Sequence, residues 1–546
     1  MVTARKESRL KPRLGSATEA APARPFTGRR RAASSFALFG VTILALGASS
    51  PVFCQTDSVR LVVHTDSARD TISRHIYGQF AEHLGRGIYD GFWIKGADQQ
   101  WHLRADVIAA LQRIKVPNLR WPGGCFADTY HWKDGVGPRP QRPKIVNSTW
   151  GGVTEDNSFG THEYLELVDR IGAAPFIVGN VGSGTPQEMA QWWEYVNFDG
   201  VSPMADLRRR NGRQRPWGVR LWGVGNESWG CGGHMTPEYY ADVYKRFVTF
   251  LPAYGQTRPY RIATGPASED YPWTEIVMRD AGRMIDGIDL HYYTVVGTWA
   301  KKGSATDFTE REWFLALEKA LQVEELINRH SGIMDRYDPQ KRVALIVGEW
   351  GLWHDVEPAT NPAFLYQQNT LRDALVAAVS LDIFNRHADR VRGANIAQTI
   401  NVLQAMILTQ GDRMILTPTY HVFEMYSVHQ DAVLLPITLE AGRYESEGRS
   451  IPAVSGSASR DREGRIHVSL VNLDPNHARV VGAELGEGAR LTRVSGRVLT
   501  AGAISAHNTF ERPDAVQPRP FTGARLSGQR LTLELPAKSI VVLELQ

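Results

Sequence analysis

Residues 342–350 read RVALIVGEW, an unbroken apolar run that delivers one carboxylate, Glu349, into a turn bearing Gly and Trp. Residues 220–227, RLWGVGNE, do the same with Glu227. Continuous apolar runs mark strands buried on both faces, as in a parallel sheet wrapped by helices. A carboxylate at the carboxyl end of such a strand sits where barrel enzymes keep their reactive groups. Two glutamates placed this way suit a retaining sugar hydrolase. One protonates the leaving oxygen, and the other attacks the anomeric carbon from roughly 5 Å away.

Outward from these two runs, short apolar segments alternate with amphipathic ones. Strands are predicted at 76–84, 118–124, 175–182, 221–227, 261–266, 287–293, 343–350 and 394–402. Helical spacing fills the intervals at 102–115, 161–171, 186–195, 237–250, 310–329 and 364–386. In the first of these, Leu103, Val107, Ala110, Leu111 and Ile114 share one face. Thr185-Pro186 and Thr236-Pro237 read as helix starts, a capping hydroxyl followed by proline in the first turn. This βα alternation predicts an α/β fold, a (β/α)8 TIM barrel, with a doubly wound open sheet as the competing topology.

From about residue 410 the pattern becomes alternating, as in 466–472, 530–535 and 539–545, with Gly, Pro, Asp and Asn between the runs. That predicts a C-terminal all-β sandwich, jelly-roll-like, joined by an N-terminal strand at 58–64. The expected organisation is a targeting segment over 1–56, a joining strand over 57–75, the barrel over 76–408 and the sandwich over 409–546.

The targeting expectation rests on Arg29, Arg30 and Arg31, the apolar run 36–46 and the small residues 47–50. Together they resemble the charged, apolar and cleavage regions of an export signal. The expected location is therefore periplasmic or extracellular, with no membrane insertion after signal removal. A net charge of +4, without a basic stripe interleaved with aromatics, excludes nucleic acid as a partner. Fifteen Trp and eighteen Tyr suit stacking on sugar faces, although core filling accounts for most of them. Of three cysteines, Cys54 falls in the targeting segment and leaves Cys125 and Cys231 as a pair. Two thiolates alone lack the ligands for a metal site, so no metal and no cofactor are expected.

Around Glu227, the neighbouring Asn226 offers an amide to a sugar hydroxyl, and Trp222 and Trp229 offer an apolar wall. Such a wall, or a partner carboxylate, raises the pKa of a glutamate that must serve as an acid. Taken alone, Gly-Asn-Glu is more often a surface turn, and Gly-Glu-Trp a strand-end ion pair.

Several further segments carry a resemblance. HIYGQFAEHLGR (75–86), LRWPGG (119–124), YHWKDGVGP (130–138), WGVGNE (222–227), LHYY (290–293), GEW (348–350) and IAQ (396–398) occur in this order. The chain resembles glycoside hydrolase family 51, the α-L-arabinofuranosidases, from about residue 58 to 546. The resemblance implies a (β/α)8 barrel with a C-terminal β-sandwich, Glu227 as acid/base and Glu349 as nucleophile. It implies that Glu82, Asn226 and Gln398 bind the sugar, that Tyr293 lies near the nucleophile and that Arg120 supports it. Read without the family, Arg120 pairs equally well with any barrel carboxylate, Tyr293 is a packed aromatic and Gln398 a core-edge hydrogen bonder. His291 orients a carboxylate or satisfies a backbone group.

One departure concerns sugar binding. Many members of the family have Asn after Pro-Gly-Gly, where it touches the sugar, and here Cys125 stands there with a weakly bonding thiol. Cys231 follows the acid/base by four residues, so the pair either bridges along the pocket or stays as two free thiols. The function implied is exo-acting removal of terminal arabinofuranosyl groups from arabinan- or arabinoxylan-type glycans by double displacement. The partner implied is an arabinose-containing oligo- or polysaccharide, and the assembly a homo-oligomer. A β-xylosidase or endo-β-glucanase on the same scaffold is the alternative among enzymes. Outside them it is a non-catalytic polysaccharide-binding protein, which has little use for two desolvated carboxylates.

Overall fold

The computed structural model describes residues 58–486 and 491–546, so the segment read as a targeting sequence lies outside the described residues. Eight parallel strands close on themselves. They are β1 (Gly78–Phe80), β2 (Asn118–Trp121), β3 (Ala174–Gly179), β4 (Leu221–Val224), β5 (Tyr260–Ala267), β6 (Gly287–Thr294), β7 (Ala344–Leu352) and β8 (Val391–Ile396). Each pairs with its sequence neighbours, and β8 returns to β1 through Asn395 opposite Gly78 and Ile396 opposite Gln79. Closure excludes the open doubly wound sheet.

All nine residues of β7 are buried, which accounts for its unbroken apolar sequence. Phe176, Val178, Ile262, Ala344 and Ile346 form one cluster contributed by β3, β5 and β7. This layer makes the barrel interior a packed core, so chemistry is confined to its ends. The threonine-proline helix starts hold as read. Thr185 accepts the Glu188 amide and Thr236 the Tyr239 amide at the heads of Pro186–Asn197 and Pro237–Val248.

Two differences from the sequence reading have physical causes. β8 starts at Val391 and ends at Ile396, whereas the apolar pattern predicted 394–402. Ile400, Val402 and Leu403 are buried, but within a loop at the barrel mouth. Their apolar character therefore reports burial rather than a strand. Trp222 forms no wall around Glu227. Strand alternation turns it outward onto Trp192 and Trp193 of the covering helix, with ring centres 5.6 and 5.4 Å away.

Beyond the barrel stand two antiparallel-rich sheets of five and six strands. Val59–Val63 runs inside the five-stranded sheet, antiparallel to Ile437–Glu440 and parallel to Arg479–Leu485. Inward residues alternate along Arg479–Leu485 and Arg530–Leu535, as a half-exposed sheet requires. The C-terminal region also contains a helix, Pro418–Tyr426, buried on nearly every side.

The barrel docks on the sandwich through its last helix, Leu371–Arg386, buried along almost its whole length. There the Asp382 carboxylate accepts the hydroxyls of Ser455, Ser457 and Ser469 at 3.2, 3.0 and 2.7 Å. Burial pushes the Asp382 carboxyl up to about 6, against the opposing pull of these hydrogen bonds.

Candidate active site

The carboxyl ends of the strands form a mouth where the polar side chains converge. Glu349 lies in β7 and its carboxylate is held by two donors. Arg120 Nη1 of β2 donates to Oε1 at 2.8 Å, and the Tyr293 hydroxyl of β6 donates to Oε2 at 2.7 Å. Glu227 lies beyond β4 with its backbone in the left-handed region, φ +39°. Non-glycine residues seldom occupy that region, and those that do gather at functional sites. Its carbonyl accepts the amides of Gly230 and Gly232 at 2.7 and 3.1 Å, which fixes the turn. One oxygen of Glu227, one of Glu349 and one His291 nitrogen all lie within 4.8 Å of one another. The two glutamates therefore face one gap.

His291 stands between them. Nδ1 is 2.9 Å from Glu227 Oε1 and 3.7 Å from Glu349 Oε2, while Nε2 is 3.2 Å from Asp289 Oδ2. Burial alone would lower the imidazole's pKa. The charges of Glu349 and Asp289, with hydrogen bonds to Asp289 and Glu227, outweigh burial and push it up to about 10. Carboxylates on both sides thus favour the protonated ring, the form in which both nitrogens donate. Both ring nitrogens of His291 thus face carboxylates.

Arg120 is buried, with its guanidinium 4.6 Å over the Phe80 ring. Its Nη2 donates to Asn226 Oδ1 at 2.5 Å. With the Asn226 oxygen engaged, the amide nitrogen is left to serve as a donor. The Asn226 backbone amide is anchored on Asp128 Oδ2 at 2.8 Å.

Glu82, just past β1, is buried and accepts from Phe126 N, Trp150 Nε1 and Gln398 Nε2 at 3.1, 2.9 and 3.0 Å. Burial, followed by the charge of Glu349, pushes its carboxyl up to about 7. Gln398 Oε1 is buried with no hydrogen-bond partner. A buried acceptor without a donor is costly and fits a ligand hydroxyl. Gly123 and Gly124 make room for these carboxylates. A Cβ on Gly123 would lie 2.5 Å from Glu82 Cγ, and one on Gly124 would lie 2.8 Å from Glu349 Oε1.

Cys125 and Cys231 are bonded to each other, joining the turn after β2 to the loop after β4. Of the two arrangements open in the sequence, this is the bridge. Its sulfurs lie 3.9 Å (Cys125) and 3.6 Å (Cys231) from Glu227 Oε2.

Two acidic residues escaped the sequence reading. Asp289 Oδ1 accepts the Gly348 amide at 2.7 Å and its Oδ2 meets His291. Its signal was present, because Asp289, His291 and Tyr293 recur every second residue of β6 and so share a face. Asp128 accepts the backbone amides of Val181, Gly182 and Asn226 at 2.6, 2.8 and 2.8 Å. Burial nevertheless pushes its carboxyl up to about 6. Nothing in the string CFADTY marks an aspartate that ties its own loop to two others through their amides.

A closed parallel barrel with two glutamates facing one gap at its carboxyl-end mouth defines a glycoside hydrolase. The family model described as the α-L-arabinofuranosidase 1 domain matches residues 110–311, and the α-L-arabinofuranosidase C-terminal domain matches 348–539. An intracellular exo-α-L-arabinofuranosidase of Bacteroides ovatus is 50% identical over 493 residues, covering 90% of this chain and 96% of that protein. The crystal structure of the family 51 arabinofuranosidase from Xanthomonas axonopodis pv. citri superposes with a TM-score of 0.88 at 50% identity, over 90% of this chain and all of that one. An α-L-arabinofuranosidase from Thermotoga maritima, solved as an arabinose complex, gives 0.77 at 32% identity, over 89% and 99% of the two chains. The chain belongs to glycoside hydrolase family 51, the α-L-arabinofuranosidases.

The expectation of export is corrected by the same comparison. The Bacteroides ovatus relative, matched along nearly its whole length, is described as intracellular. A charged stretch followed by a short apolar run is a compositional pattern that a non-exported chain can also carry. No helix among the described residues is long and apolar enough to cross a membrane.

Proposed function

We propose that this protein is a retaining, exo-acting α-L-arabinofuranosidase that removes terminal arabinofuranosyl groups from arabinan- or arabinoxylan-type glycans. The observation that carries the proposal is the placement of Glu227 and Glu349 within 4.8 Å across one gap. That is the spacing for covalent displacement, since the inverting arrangement leaves roughly 6.5–9.5 Å for a water. The names of the relatives support the choice of sugar.

In the first step the Glu349 carboxylate attacks the anomeric carbon as Glu227 gives its proton to the departing oxygen. Arg120 and Tyr293 fix both oxygens of Glu349, so little reorientation precedes attack. In the second step Glu227 takes a proton from water, and the water releases the sugar from Glu349. His291 positions both carboxylates. Glu82, the Asn226 amide and the unpartnered Gln398 oxygen hold sugar hydroxyls, and the Cys125 side of the bridge lines the pocket. No step calls on a metal or cofactor. Residues 76–408 carry the chemistry, with 57–75 and 409–546 forming the supporting sandwich. The homo-oligomer implied by the family resemblance is tested by light scattering.

The roles are tested by leaving-group dependence. Glu349→Ala should lose turnover almost completely and regain part of it with azide as an external nucleophile. Glu227→Ala should lose far more on unactivated arabinofuranosides than on p-nitrophenyl α-L-arabinofuranoside, which needs little protonation. Equal losses on the two substrates would remove Glu227 from the acid role. Higher activity of the parent on the xyloside or glucoside would reassign the sugar.

A further inference from the structure

The two oxygens of Glu227 face different chemistry. Oε1 lies 2.9 Å from His291 Nδ1, on a ring whose other nitrogen meets Asp289. A ring flanked on both sides by carboxylates donates from both nitrogens, so a proton on Oε1 would point at another hydrogen. The acid's proton therefore belongs on Oε2. The neighbours of Oε2 are the Cys231 and Cys125 sulfurs, at 3.6 and 3.9 Å. Bonded to each other, these sulfurs have no hydrogen to donate. The same atoms as thiols would place S–H donors against Oε2.

We propose that the Cys125–Cys231 bridge is a positioning element for the acid/base. It forms a wall without donors that leaves Glu227 Oε2 free to carry the proton handed to the leaving group, and opening it weakens the acid. The proposal rests on the reading of Glu227 as acid/base. Opening requires a dithiol, which supplies two electrons and two protons, turns the bridge into two thiols and closes to its own disulfide. Thiols favour the ionised form of the carboxylate they donate to, so opening the bridge works against a proton on Oε2.

Of the other groups facing Glu227, only Asn226 touches the bridge, its Nδ2 lying 3.9 Å from Cys231 Sγ, and the rest are unaltered by this change. They are His291 with Asp289 behind it and Tyr293 on β6, Glu349 on β7, Arg120 acting through Asn226, and Asp128 beneath the Asn226 amide. Glu82, beyond Glu349, is equally untouched. A reducing compartment would favour the open form.

The experiment compares pH profiles of kcat/KM on an unactivated arabinofuranoside for four forms of the full chain. These are the oxidised protein, the protein reduced with dithiothreitol in the presence of a chelator, Cys125→Ala/Cys231→Ala and Cys125→Ser/Cys231→Ser. The chelator matters because two thiols and Glu227 could gather an ion. The alanine pair supplies no donor and should keep the alkaline limb of the oxidised protein, whatever its kcat. The serine pair and the reduced protein should move that limb to lower pH. Both should lose several-fold more rate on the unactivated substrate than on the p-nitrophenyl one.

Coincident profiles for the alanine and serine pairs would reduce the bridge to a staple and overturn the proposal. So would a reduced protein that loses activity with its melting temperature but keeps its limb. Three free thiols titrated in the unreduced, denatured full chain, Cys54 included, would overturn it as well, where the bridge predicts one. Should neither double variant fold, the reduced parent decides. Failure of the underlying acid/base reading shows separately, as a missing leaving-group effect in oxidised Glu227→Ala.

Discussion

Gly124→Ala should damage catalysis while leaving the fold nearly intact. The added Cβ would sit 2.8 Å from Glu349 Oε1, 3.3 Å from Phe80 Cζ and 3.5 Å from Glu82 Oε1. Ordinary contact begins at 3.4 Å, so Oε1 must retreat by about 0.6 Å. It cannot do so freely, since Arg120 and Tyr293 grip the two oxygens at 2.8 and 2.7 Å. A displacement of about 1 Å in a reacting group costs on the order of 100-fold. About 0.6 Å therefore predicts a kcat lower by roughly 10- to 30-fold, equivalent to about 1.4–2 kcal/mol in the barrier. The obstacle is the end of a side chain rather than backbone, so the melting temperature should fall by no more than about 2 °C. Steady-state kinetics on p-nitrophenyl α-L-arabinofuranoside and thermal denaturation provide both readings. A kcat within twofold of the parent would refute the placement of Glu349 against this turn. A large fall in melting temperature would mean that the glycine serves the fold instead.

Tyr293→Phe removes the hydroxyl that donates to Glu349 Oε2. Hydrogen bonds to charged groups contribute about 1.5–3 kcal/mol, so kcat/KM should drop roughly 10- to 100-fold with circular dichroism unchanged; parent-like kinetics would contradict this. Asp382 links the barrel's last helix to the sandwich with its carboxyl at about 6 in the folded protein, above the usual 3.8. Its folded form holds the proton longer, so stability contributed below pH ~4 is lost as pH rises to ~6, by about 3 kcal/mol. Asp382→Asn lacks this titration, and the stability gap between parent and variant should shift in the variant's favour by that amount between pH 4 and 7. Parallel stability curves would refute the assignment.

The barrel was legible because buried parallel strands leave continuous apolar runs, and because the runs of β4 and β7 each lead to a glutamate. It was less legible at the mouth. Ile400, Val402 and Leu403 are as apolar as a strand, yet they serve a loop covering the site, so hydrophobicity alone misplaced β8. The same ambiguity gave Trp222 to the pocket when strand alternation gives it to the helix layer. Within the site, side chains that touch one another across strands could be listed from motifs, but their hydrogen bonds could not. Asp128 works on backbone amides contributed by two other loops, a role with no local pattern. The Cys125–Cys231 contact spans 106 residues of chain and depends on how the β2 and β4 loops approach each other. Only the closed barrel determines that approach.

The claim beneath all of this is that Glu349 forms a bond to the sugar while Glu227 manages the proton from across the gap. Methanolysis followed by proton NMR tests it most directly, because the methyl glycoside formed cannot reopen and scramble its anomeric centre. Two displacements at one carbon predict methyl α-L-arabinofuranoside as the sole first-formed product. Appearance of the β-anomer would mean a single displacement by the acceptor, and would contradict the account.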